Sequence, residues 1–151
     1  MGARNGIPMD RSDWFHRLDE LARTIKEAQA GQEIHLLRLF LDLLDHAPET
    51  PLLQGLMPPS RDRIEAVLAV GAMESAAMIL MGEDSGFCLS RGADGTPLAS
   101  VLLPYRFAET TSGGASLTLA CLGALAGALN GAQGQMAGSA QFDIPADTLL
   151  H

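Results

Sequence analysis

Residues Ala115–Asn130 read ASLTLACLGALAGALN and carry no charged side chain. A helix that is apolar all round must be covered on every side, so this segment dictates the layout of whatever is built around it. Gly123 and Gly127 stand four residues apart, with Ala120, Ala124 and Ala128 forming a neighbouring row. Small residues at that spacing let another backbone come close. Leu117, Leu119, Leu122, Leu125 and Leu129 cover the remaining sides. Ser116, Thr118 and the two glycines interrupt the stretch, so a buried helix is expected rather than a bilayer span. The row Ala120, Gly123, Ala124 and Gly127 is expected to be a close-packing surface, either within the chain or at a dimer interface.

The flanking segments predict an α+β domain. Residues 1–9 read as a flexible lead-in. Asp10 or Ser12 can cap a helix to about Ala30, whose apolar positions Phe15, Leu18, Leu21, Ala22, Ile25 and Ala28 keep a helical period. Gly31 suits a helix stop. A second helix from Gln32 to His46 is apolar on most sides, and the short connection predicts an antiparallel helical hairpin. Residues 47–59 hold four prolines and read as a connector. Its Leu52, Leu53, Leu56 and Met57 are costly to leave wet. A third helix is expected from Ser60 to about Met81, with Ile64, Val67, Leu68, Gly71, Ala72 and Ser75 on one face. A strand at Ala77–Met81 is the alternative.

The strongest β signal follows. Gly86–Arg91 and Pro97–Leu103 flank a turn containing Asp94-Gly95, which predicts an antiparallel β-hairpin. A lone hairpin is marginal and needs a third strand, a covering helix or a second copy. Phe142–Ile144 is the candidate third strand. The domain is expected to span residues 10–130, with 131–151 a Gly-rich tail that docks in part.

Composition sets the class. A chain of 151 residues, 47% hydrophobic, can bury a core of its own. Aromatics are scarce at 5%, so Leu, Ala, Met and Val must fill it. The net charge is −8, of which −2 falls before Ile64 and −6 after it. With no basic stripe, nucleic acid and anionic membrane surfaces are poor partners. The two cysteines, Cys88 and Cys121, form no CxxC and read as apolar filling in a reducing compartment. The N-terminal residues hold no apolar signal stretch, and Gly6 breaks a myristoylation pattern. A cytoplasmic protein is the expectation, with no cofactor and no metal.

Three polar groupings could carry chemistry. His35, Arg38, Asp42 and Asp45 form one stripe on the second helix, with His46 adjacent in sequence. A histidine beside carboxylates can act as a base or ligand. The stripe also reads as a solvated face with an Arg38–Asp42 pair, and His16 could join it only through tertiary contact. Thr110, Thr111, Ser112, Gly113 and Gly114 precede the uncharged helix and resemble an anion-binding nest, or simple capping by Thr111 or Ser112. Glu74 is an acid in an apolar stretch, either buried with a raised pKa or pointing outward. Met57, Met73, Met78 and Met81 could line an adaptable apolar groove, or fill the core.

No nucleophile, metal or nucleotide signature occurs. The expectation is therefore a noncatalytic interaction or regulatory protein acting as a homodimer. A domain binding a small apolar or anionic ligand comes second, and an enzyme using His35, Asp42 or Glu74 third.

Overall fold

The computed structural model describes residues 7–48, 60–104 and 108–138. Among these lie five helices and one three-stranded antiparallel sheet, an α+β architecture. Helix α1 (Arg11–Glu27) is capped by Asp10, whose carboxylate accepts from the N–H of Ser12 at 3.1 Å. Helix α2 (Glu33–Asp45) follows a turn in which Gly31 takes φ +107°, a conformation that favours glycine. The two run antiparallel. The N–H of Met9 donates to His46 O at 2.9 Å, and the indole N–H of buried Trp14 donates to Leu43 O at 2.7 Å.

The single helix expected from Ser60 to Met81 is in fact two, α3 (Arg61–Ala69) and α4 (Met73–Met81). Gly71 breaks it by turning to φ +77°. The apolar spacing carried through Gly71 and Ala72 because both elements bury one face, not because the helix continues. Residues 77–81 are helical, and Ala76, Ala77, Leu80 and Met81 are buried.

Strands β1 (Gly86–Arg91) and β2 (Pro97–Leu102) form the hairpin, with Gly86 opposite Leu102 and Arg91 opposite Pro97. In the turn, Gly95 takes φ +88° and Asp94 accepts from the N–H of Thr96 at 3.0 Å. The third strand is β3 (Thr110–Gly113), paired to β2 with Leu98 opposite Gly113. This corrects the expectation that Thr111 or Ser112 caps the helix. The Thr-Thr-Ser-Gly segment is extended backbone within a ladder and does not cap the helix. The strand sought at Phe142–Ile144 lies outside the described residues, as do Leu52, Leu53, Leu56 and Met57 of the connector.

Helix α5 (Leu117–Gly138) begins two residues later than expected and runs eight residues past Asn130, into what had read as tail. Ser116 caps it: its Oγ accepts from the N–H of Leu119 at 3.3 Å. The helix packs on β2 and β3 and against α1 and α4. Leu119, Ala120, Ala124, Leu125, Ala126 and Leu129 are fully buried. Its two central glycines face this chain's own sheet. A Cβ on Gly123 would lie 2.6 Å from Ser112 Oγ, and one on Gly127 would lie 2.9 Å from Thr110 Cγ2. The covered face of the sheet carries Ala99 and Val101, at 1% and 0% exposure. No described helix lies on the opposite face, where Cys88, Ser90, Leu102, Thr111 and Gly113 are exposed.

Candidate functional site

The polar stripe of α2 is divided between two tasks. Arg38 is held by Glu65 of α3 in a bidentate pair, with Nε 2.9 Å and Nη2 3.0 Å from the two carboxylate oxygens. That pairing, rather than burial, draws the Glu65 carboxyl below the usual range and raises the Arg38 guanidinium. Asp42 and Asp45 share Arg61 of α3, with Arg61 Nη2 3.0 Å from Asp45 Oδ2. Burial acts against the charge on Arg61, but the two carboxylates outweigh it and hold the guanidinium more firmly protonated. The expected Arg38–Asp42 pair is therefore not made: both residues reach across to α3. His35 is exposed and stands apart from these pairs.

The other side of the stripe opens on a groove of about 900 Å³ between α1 and α2. It is lined by Met9, His16, Glu20, Leu39, Asp42 and His46, among others. The helical hairpin thus brings His16 of α1 to the side of α2 that carries Asp42 and His46. His16 Nε2 lies 3.0 Å from Glu20 Oε1, both well exposed. His46 Nδ1 sits 2.8 Å from the carbonyl oxygen of Asp42, which can only accept, so Nδ1 is the donor in this contact. Leu39, at 40% exposure, adds an apolar wall. No set of three or more His, Cys, Asp or Glu among the described residues is placed to hold a metal ion. The groove's lining combines an apolar wall with polar groups, the ordinary make-up of a ligand cleft.

Glu33 is the polar residue that sequence reasoning passed over. It begins α2 and is 5% exposed. Burial alone would raise its carboxyl. The N–H groups of Glu33 and Gly31 and the hydroxyl of Ser116 more than offset this and leave it below the ordinary range. The same carboxylate thus sits at the start of α2 and meets Ser116, the residue that caps α5. An acid at a helix start was visible in sequence, but its meeting with Ser116, far along the chain, was not.

The remaining candidates resolve as packing or surface. Glu74 points to solvent. Cys121 is buried, and that burial, with the nearby charge of Glu74, pushes its thiol up to about 11. Cys88 is free and exposed rather than a packing residue. Met81 is in the core, with Met73 and Met78 half-buried against it. Met57 lies outside the described residues. Thr118 is buried, and its hydroxyl has no hydrogen-bond partner among the described residues.

The sheet offers a second kind of site. β1 is an edge strand, and no described residue pairs with its outer side. Phe87 projects from it at 47% exposure. Phe87 and Leu89 lie opposite Val101 and Ala99, so both stand on the helix-covered side. There α5 is laid over β2 and β3, which leaves Phe87 uncovered at the margin.

No family model, curated protein or solved structure matches this chain. Among the described residues, no helix is long and apolar enough to cross a membrane.

Proposed function

We propose that this is a noncatalytic interaction protein that acts as a homodimer and works in the cytoplasm. The observation that carries the reading is the β1 edge: a strand whose outer side pairs with no described residue and which bears a Phe side chain at 47% exposure. Exposed strand edges template further pairing, and proteins without a use for them blunt them with charge or proline. β1 has Arg91 at its end and no proline. Symmetric pairs are the commonest soluble assemblies. The buried α5 no longer argues for a partner, since β3 of the same chain lies close against Gly123 and Gly127. Light scattering across the micromolar range tests the proposal. A mass of twice 15.9 kDa is expected, and a mass of 15.9 kDa at every concentration would overturn it.

The groove between α1 and α2 favours a second reading, a domain that binds a small ligand with an apolar body and a polar end. A thermal-shift screen of such metabolites, compared between the native chain and His16→Ala, distinguishes the two. Melting temperatures that stay flat throughout would remove the ligand reading.

A further inference from the structure

We propose that two copies join by antiparallel pairing of β1 with β1, in the register that sets Cys88 of one copy opposite Cys88 of the other. The inference rests on the homodimer reading and specifies its surface.

Hydrogen-bond geometry limits the choices. The N–H of Gly92 donates to Thr96 O at 2.8 Å, continuing the ladder that sets Arg91 opposite Pro97. Hydrogen-bonded and non-hydrogen-bonded pairs alternate along an antiparallel ladder. Gly86, Cys88 and Ser90 therefore turn their backbone groups toward β2. Phe87, Leu89 and Arg91 turn theirs toward the outer edge, where no described residue pairs. The 3.3 Å bond from the N–H of Gly114 to Pro97 O agrees, since it aims Pro97 at β3 and away from β1.

A second copy must present the same outward residues in return. A two-fold axis perpendicular to the sheet then passes through a residue rather than between two. A half-step register would set outward groups against inward ones and would put the helices of the two copies on opposite faces.

Side chains choose among the allowed registers. Centred on Cys88, Phe87 of each copy faces Leu89 of the other, so both outward positions pair apolar with apolar. Arg91 then lies beyond the overlap, opposite Ser85. Centring on Leu89 sets Phe87 against Arg91. Centring on Ser90 sets Leu89 against Arg91. Centring on Phe87 shortens the overlap and leaves Leu89 facing Ser85. Cross-strand apolar pairs are the main stabilising unit of a sheet, so the Cys88-centred register is favoured. It yields one six-stranded sheet with every helix on one face. It also closes the margin where Phe87 is half exposed, because Phe87 and Leu89 of both copies fill the space between the two α5 helices.

The register predicts a covalent signature. Cys88 and its copy form a non-hydrogen-bonded pair, whose Cα atoms lie roughly 4.5 Å apart and within disulfide range. Mild oxidation of the full chain by copper–phenanthroline should convert the dimer to a disulfide-linked pair on a non-reducing gel. Cys121 is buried and stays protonated, so it does not compete. Cys88→Ser should abolish the linked band yet keep the dimeric mass in light scattering. Phe87→Asp should give a monomer of 15.9 kDa that still melts cooperatively. A dimer that fails to cross-link through Cys88, or that links instead through Ser90→Cys in the Cys88→Ser background, overturns the register alone. A Phe87→Asp dimer overturns the β1 edge, and a monomeric native chain overturns the homodimer itself.

Discussion

Gly123 and Gly131 lie on the same helix and do opposite things. A Cβ at Gly123 would meet Ser112 Oγ at 2.6 Å and Ser112 Cβ at 3.3 Å, while one at Gly131 would meet nothing within 4 Å. Overpacking a fitted contact costs roughly 1–3 kcal/mol, whereas Gly to Ala in an open helix position gains about 0.5–1 kcal/mol. Urea unfolding should therefore show Gly123→Ala less stable and Gly131→Ala more stable than the parent. Equal shifts for both would mean that the close approach of β3 is wrong. Glu33 makes a second argument at this scale. Its carboxyl is lowered in the folded state, so folding is favoured whenever the group is ionised. That contribution is complete above the ordinary carboxylate range and is lost as pH falls through the folded-state value. Glu33→Gln should be less stable at neutral pH by roughly 1–3 kcal/mol, and the difference should shrink under acid. A gap that stays constant down to pH values where the folded-state carboxyl is protonated would show that its charge contributes nothing.

At the scale of elements, α2 and α3 are clasped by ion pairs of unequal weight. Arg38 and Glu65 are half exposed, and such a pair is screened by water. Arg61 is different, because the Asp45 side chain it holds is only 12% exposed. Removing the guanidinium would leave that carboxylate largely buried and unmatched. Arg61→Ala should cost about 1 kcal/mol, after discounting for solvent screening at a side chain 38% exposed. Arg38→Ala should change the melting temperature less. Calorimetry at low and high salt checks both, and an Arg38 variant as damaged as the Arg61 variant would reverse the assignment. The helical hairpin and the β-hairpin were legible at this scale because each is written in local terms: a period of apolar residues, a glycine at a turn, an Asp-Gly in a loop. The break at Gly71 was not, since apolar spacing carries across it unchanged. β3 was not either. Thr110–Gly113 is short and polar, with no alternation of its own, and becomes a strand only because β2 offers an edge and α5 offers a glycine surface above it.

At the scale of the whole molecule, one helix organises everything else. α5 has its sheet on one side and α1 and α4 on others, which satisfies the demand of an uncharged segment without a second chain. The case for a dimer therefore moves from α5 to the uncovered margin of the sheet at Phe87. The groove shows the same division of labour. Asp42 and His46 could be grouped from sequence because they share a helix, but His16 joins them only because Gly31 folds α1 back on α2. What the sequence determined by itself is the class, the hairpins and the burial of the charge-free helix, for these follow from periodicities within a few turns or a few strand residues. What only the tertiary structure decided is which surface met the glycines, which acid met the cap of a distant helix, and which strands stayed at the edges. Those depend on contacts between distant residues, and no local pattern encodes which distant partner will arrive.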